Sequence, residues 1–81
     1  MKPDKLLARI HSGGVANVRF RDAQRLVVAL GFELIEIKGS HHIYGRPGTP
    51  EQINLQSVKG QAKPYQLKQI LVLVERHQLT L

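Results

Sequence analysis

The 81-residue sequence contains no cysteine, and only 5% of its residues are aromatic. Without cysteine the chain cannot form a disulfide framework, a thiolate zinc site or a cysteine nucleophile. The longest apolar run, Ile70 to Val74, is far too short to span a membrane. No segment combines a basic face with exposed bulky apolar residues, as a helix that lies on a membrane surface does. We therefore expect no membrane partner.

Acidic residues are scarce, because six Asp and Glu stand against twelve Lys and Arg and leave a formal net charge of +6. An excess of this size on a small surface favours a polyanionic partner, and nucleic acid is the commonest. The alternative is a solvated cationic surface with no particular partner. The first residues show no signal-peptide pattern, which predicts a cytoplasmic location.

Three segments have apolar residues spaced as on one face of a helix: residues 3–10, 21–30 and 64–77. With 42% apolar and 22% charged residues, the composition is that of a single folded domain. The helical residues predicted to face the core are Leu26, Val27, Leu30, Leu67, Ile70, Leu71 and Val74.

Three segments between the second and third helices are rich in β-forming residues: residues 32–38, 41–46 and 51–56. Glycine-containing turns separate them, so consecutive strands are expected to pair antiparallel. Alternation in the third strand places Ile53 and Leu55 on a buried face. Residues 57–63 are predicted to be a polar loop. The fold class is therefore α+β, with helices covering one face of a three-stranded antiparallel sheet.

The densest polar cluster, residues 38–46, contains the adjacent histidines His41 and His42. Neighbouring residues of a strand point to opposite faces, so this pair cannot jointly hold one metal ion. Glu33 and Glu36 are likewise predicted on opposite faces, which argues against an acid/base site of two carboxylates. The sequence predicts no metal site and no cofactor.

The second strand has two possible orientations, and the chemistry depends on which is adopted. If Ile43 joins the core, His41 leans inward beside it, and His42, Tyr44 and Arg46 share the open face. Such a row can accept a proton from a ribose 2′-hydroxyl, stack a base and neutralise a phosphate. A histidine beside a hairpin turn is more often only a hydrogen-bonding residue, and Tyr44 alone is more often half-buried.

Several short motifs carry a family resemblance: residues 17–20 (Asn-Val-Arg-Phe), 30–32 (Leu-Gly-Phe), 38–44 (Lys-Gly-Ser-His-His-Ile-Tyr), 53–56 (Ile-Asn-Leu-Gln) and 60–67 (Gly-Gln-Ala-Lys-Pro-Tyr-Gln-Leu). Together they resemble the HicA family of mRNA interferase toxins from type II toxin–antitoxin systems. The resemblance implies a double-stranded-RNA-binding-like α-β-β-β-α fold with an extra N-terminal helix. Residues 1–81 would form one domain, in which residues 1–16 are an extension helix and linker.

The resemblance also implies an activity, which is metal-independent endoribonucleolytic cleavage of mRNA, and a partner, which is a neutralising HicB-type antitoxin. His42 matches the catalytic histidine and would act as general base. The general acid stays open between Tyr44, His41 and water. Basic and polar residues predicted to contact RNA are Lys38, Ser40, His41, Tyr44, Arg46, Lys59, Lys63 and Lys68, and of these Lys38, Arg46 or Lys59 would stabilise transition-state charge. The alternative is an RNA-binding module of the same fold without catalysis.

Overall fold

Three helices and a four-stranded sheet make up the chain, and the computed structural model describes all of residues 1–81. The elements are α1 (Pro3–His11), α2 (Phe20–Ala29), β1 (Glu33–Lys38), β2 (His41–Arg46), β3 (Thr49–Val58), β4 (Gln61–Ala62) and α3 (Pro64–His77). The strands are antiparallel neighbours in the order β1-β2-β3-β4. The α+β class is confirmed, whereas the predicted number of three strands is wrong.

The fourth strand lies within the segment that was predicted to be a loop. β3 continues to Val58, the chain reverses at Lys59 and Gly60, and β4 then pairs with the end of β3. Both turn residues have positive φ, 53° for Lys59 and 76° for Gly60, which suits the tight reversal of a two-residue hairpin. A lysine seldom adopts this conformation, so the hairpin was only weakly indicated by the residue types at its turn.

The hydrophobic core lies between the helices and one face of the sheet. Seven of the nine residues predicted to be buried are fully buried, and Leu71 and Val74 are half-buried against the same core. α1 adds Leu6 and Ile10, which are buried where α1 packs on α2 and α3. The periodicity of the apolar residues therefore predicted the layer arrangement correctly.

β2 adopts the opposite orientation to the one in which His42, Tyr44 and Arg46 would share the open face. Tyr44 pairs with Ile53 and His42 with Leu55, so both side chains lie on the helix-covered face. His41 lies on the open face, where its Nδ1 is 3.1 Å from Oδ1 of Asn54. A shift of strand orientation by one residue moves every side chain to the other face.

The phenol of Tyr44 explains why this orientation is stable. Only 2% of Tyr44 is exposed, and its hydroxyl accepts a hydrogen bond of 3.0 Å from Nε2 of Gln24 in α2. The ring therefore adds a large apolar area to the core while its polar group keeps a partner. Ile43 is left half-buried on the open face.

Gln66 ties α3 to the sheet where β3 changes partner. β3 pairs with β2 as far as Gln56 and with β4 from Ser57 onward. The side chain of Gln66 is buried, and its Oε1 accepts the backbone N–H of Gln56 at 2.8 Å. This bond satisfies a backbone donor at the junction, so the buried amide fixes how α3 sits on the sheet.

The carboxylate of Glu51, near the start of β3, should make stability sensitive to acid. It accepts hydrogen bonds from Arg76 at 2.5 Å and His77 at 2.8 Å in the last turn of α3. The pKa of Glu51 is lowered from 4.5 to about 2, first by the Arg76 guanidinium and then by hydrogen bonds from its own backbone N–H and from His77. Because this pKa is lower in the folded than in the unfolded state, ionised Glu51 stabilises the folded state. Its contribution is complete above pH 4.5 and is lost as the pH falls toward 2. Thermal unfolding of Glu51→Gln should therefore differ most from wild type at neutral pH.

The matched comparison for Glu51 is Glu75→Gln, because Glu75 is an exposed carboxylate on α3 whose nearest cationic partner, His11, is 3.8 Å away. We expect the difference in melting temperature between wild type and Glu51→Gln to shrink between pH 4.5 and pH 2. Glu75→Gln should show a smaller difference over the same range. A Glu51→Gln difference that stays constant with pH would contradict the ion-pair account.

Candidate active site

His42 lies at the margin of the helix-covered face, one residue after the turn of the β1–β2 hairpin. Its ring is half-buried and packs edge-on against Phe20, the first residue of α2. The two ring centroids are 4.8 Å apart and the ring planes are inclined at 65°. This contact restricts the orientation of the imidazole and leaves part of it open to solvent.

The one polar contact of His42 favours one tautomer of the imidazole. Nδ1 lies 3.4 Å from the carbonyl oxygen of Ser40. A carbonyl oxygen only accepts hydrogen bonds, so the contact favours the tautomer in which Nδ1 carries the proton and donates it. The lone pair is then on Nε2, and this atom can accept a proton from a substrate.

A cationic cleft of about 500 Å³ adjoins His42 and has Phe20 as a common wall. It forms where the start of α2 meets the β3–β4 hairpin. The N–H of Phe20 donates to the carbonyl of Gly60, and the N–H of Ala62 donates to that of Val18, both at 2.9 Å. The residues that line the cleft are Arg19, Phe20, Arg21, Ser57, Lys59, Gly60 and Gln61.

The cationic cleft suits a phosphate group. Arg19, Arg21 and Lys59 contribute three positive charges, and no carboxylate lines the cleft. The first turn of α2 adds the positive end of a helix dipole. A phosphate bound here would lie beside the ring of Phe20 and therefore near the imidazole of His42.

Arg19 and Arg21 were absent from the residues predicted to contact RNA. Both are exposed and flank Phe20 at the beginning of α2, where positive charge is electrostatically unfavourable. Cations at the N-terminal end of a helix, where the dipole disfavours them, indicate anion binding, and this signal was available from Arg19 of the Asn-Val-Arg-Phe motif and the adjacent Arg21. The proximity of Arg19 and Arg21 to Lys59, about forty residues further along the chain, could not be predicted from the sequence pattern.

Of the predicted contacts near the histidine pair, Lys38 and His41 lie on the far side of the sheet from His42. Lys38 Nζ is 3.7 Å from the carboxylate of Glu36 on the open face. Ser40 lies in the turn itself, where its Oγ accepts a hydrogen bond of 3.2 Å from Gln56. Lys38 and His41 are therefore not brought together with the cationic cleft, whereas the carbonyl of Ser40 accepts the N–H of Ser57, which lines the cleft, at 3.2 Å.

Tyr44 and Arg46 both have structural contacts outside the cationic cleft. The burial of Tyr44 corrects the predicted base stacking, whereas phosphate binding by Arg46 stays a prediction. The buried ring of Tyr44 has no free face for a base. Arg46 donates from Nε to the carbonyl of Leu30 at 2.9 Å and from Nη1 to Oγ1 of Thr49 at 3.3 Å. Arg46 is four residues from His42, or about 13 Å along the strand.

The two predicted lysines near α3 extend the basic surface rather than the cleft. A shallow depression beside the cationic cleft shares Lys59 and Gln61 with it and is also lined by Lys63. Lys63 Nζ lies 5.9 Å from the ring centroid of Tyr65, which is exposed at the start of α3. Lys68 is exposed one turn further along α3. Lys59 and Lys63 therefore form one continuous basic surface beside the cleft.

No group of three His, Asp or Glu side chains is close enough to hold a metal ion. No helix has the length and the apolar character needed to cross a bilayer.

The fold and the site define a small basic α+β protein with a histidine close to a cationic cleft. The model of the HicA toxin of bacterial toxin–antitoxin systems matches residues 20–75, more than half of the chain. The chain therefore belongs to the HicA toxin family, whose members act with an antitoxin partner. The matched part includes His42, Phe20, Arg21 and Lys59, whereas α1 and Arg19 precede it. Comparisons with curated proteins and with solved structures gave no significant match.

Proposed function

We propose that this HicA family protein is a metal-independent endoribonuclease that cleaves mRNA, with His42 as the general base. The observation that carries the proposal is the imidazole of His42, which contacts Phe20 and the Ser40 carbonyl; Phe20 also lines the cationic cleft. An imidazole can remove a proton at neutral pH without a metal ion. The cleft supplies the positive charge that a phosphodiester needs.

The proposed reaction is an intramolecular transfer within the RNA. Nε2 of His42 accepts the proton of a ribose 2′-hydroxyl, and the 2′-oxygen attacks the adjacent phosphorus. The bond from phosphorus to the 5′-oxygen of the next nucleotide breaks, which leaves a 2′,3′-cyclic phosphate and a 5′-hydroxyl. The proton count is balanced when the departing 5′-oxygen gains one proton.

We propose the remaining roles from the positions of the cleft residues and of the two faces of the sheet. Arg19, Arg21 and Lys59 stabilise the negative charge that grows on the phosphate oxygens during attack. His41 lies on the opposite face of the sheet, and the hydroxyl of Tyr44 is bonded to Gln24 inside the core. Of the three possible proton donors considered for the leaving oxygen, water is therefore the one we propose.

A HicB-type antitoxin would neutralise the activity in the cytoplasm by covering His42 and the cationic cleft. A positively charged site attracts acidic protein surface as well as RNA, so the two ligands compete for the same cations. Binding of the antitoxin should then displace RNA. In this account the free protein slows translation, and the complex is inactive.

Expression and cleavage together test the proposed function. Expression of this chain alone should arrest growth of the host, and the purified protein should cut mRNA at an undiminished rate in EDTA. RNA binding without cleavage would support the alternative of a non-catalytic RNA-binding module, and cleavage that EDTA abolishes would contradict the metal-free mechanism. The control is the same preparation carrying His42→Ala.

A further inference from the structure

An apolar groove on the other side of α2 has no role in the proposed reaction. It lies between α2 and β1, has a volume of about 650 Å³, and is also lined by Tyr44 of β2 and Pro3 of α1. Val28 is 57% exposed on α2, and Leu34 is 47% exposed on β1. Two large aliphatic side chains exposed on adjoining walls of one groove are typical of a protein-binding surface rather than a nucleic-acid site.

The strand that borders this α2–β1 groove has a free edge. β1 is the first strand of the sheet order, so only β2 pairs with it, and all six of its residues are exposed. A free edge offers unpaired backbone N–H and C=O groups, which an extended segment of another chain can satisfy. The α2–β1 groove therefore combines side-chain and backbone contacts.

The charge around the groove selects the partner. Arg21 and Arg25 line it, and no acidic residue does. A second copy of this chain, with its formal charge of +6, would be repelled, whereas carboxylates beside apolar side chains would be attracted. Arg21 also lines the cationic cleft, so a carboxylate bound to Arg21 from the groove would compete with RNA phosphate.

We infer that the α2–β1 groove is the docking surface for the antitoxin, through a segment with apolar side chains flanked by carboxylates. The inference rests on the proposed function, which supplies the antitoxin as partner. The apolar side chains pack on Val28 and Leu34, and the carboxylates bind Arg25 and Arg21. The antitoxin reaches the active site through Arg21, so docking and inhibition are joined at one residue.

Affinity measurements with two groove variants and two matched controls test this inference. The probe is the purified antitoxin encoded by the neighbouring reading frame, titrated calorimetrically against each variant at 0.1 M salt. Val28→Asp and Arg25→Glu should each weaken binding by about tenfold or more, as expected for contacts at the centre of an interface. Val72→Asp and Lys5→Glu place the same changes on exposed positions of α3 and α1, and they should alter affinity by less than about twofold.

The inference fails if the groove variants bind as tightly as wild type, or if the controls weaken binding equally. It also fails if Val28→Asp changes only the oligomeric state of the free protein, because the occupant would then be a second copy. Melting temperatures verify that all four variants are folded. RNA cleavage by free wild type and by the free variants is measured separately. Absence of cleavage by wild type would reject the proposed function and would leave the binding result unaffected.

Discussion

His42→Ala should reduce RNA cleavage by a factor of about 10² to 10⁴, because that range is what a positioned general base contributes. The folded state should survive, since the change removes only a half-buried ring and its edge contact with Phe20. We expect a loss of about 0.5–1.5 kcal/mol in the free energy of unfolding. RNA affinity should change little, because the phosphate-binding cations stay in place.

The neighbouring histidine provides the control for this variant. His41→Ala removes the same side chain from the adjacent position, but on the open face of the sheet and bonded to Asn54. It should retain cleavage within a few-fold of wild type and lose less than about 1 kcal/mol of stability. Equal losses of cleavage in both variants would reject His42 as the specific base.

Reversing two charges of the cationic cleft should have the second largest effect. The double variant Arg19→Glu/Lys59→Glu should bind RNA at least about tenfold more weakly at 0.1 M salt. Two lost phosphate contacts should also lower the slope of log affinity against log salt by about 1.4 for a single strand. Arg19 precedes the first turn of α2, where a glutamate is electrostatically favourable, so the fold should tolerate the change.

The control for the cleft variant has the same change in net charge at another place. Lys2→Glu/Lys5→Glu places both substitutions on exposed residues at the start of α1. General electrostatic attraction would make the two double variants weaken RNA binding equally. A local phosphate site predicts that only the cleft variant loses affinity strongly, with its salt slope reduced.

The helices and the core were predictable from sequence because apolar residues at helical spacing all lie on one face of a helix, and that face must be the buried one. Leu26, Val27 and Leu30 recur at that spacing, and all three are buried. The orientation of β2 was not predictable in the same way, because its period of two places Ile43 and Tyr44 on opposite faces, and the more hydrophobic Ile43 is not the one that is buried. Gln24, which reaches Tyr44 from α2, decides between them, and that contact exists only in the folded chain.

The candidate site could be predicted only in part, for a related reason. The motif containing His42 is local in sequence, so the resemblance identifies it. The cationic cleft joins Arg19 and Arg21 to Lys59 through a hairpin whose turn is set by a lysine with positive φ. Conversely, Arg46 is near His42 in sequence but is bonded to Leu30 at the other end of the strand.

The chemical ends of the cleaved RNA test the central claim most directly. A defined RNA oligonucleotide is incubated in EDTA with wild type or with His42→Ala, and the products are identified by mass spectrometry. The account predicts a 2′,3′-cyclic phosphate and a 5′-hydroxyl from wild type, and intact RNA from the variant. It also predicts that a single 2′-deoxy substitution at the cleaved nucleotide blocks the reaction. Cleavage of the 2′-deoxy substrate, or undiminished cleavage by His42→Ala, would contradict the account.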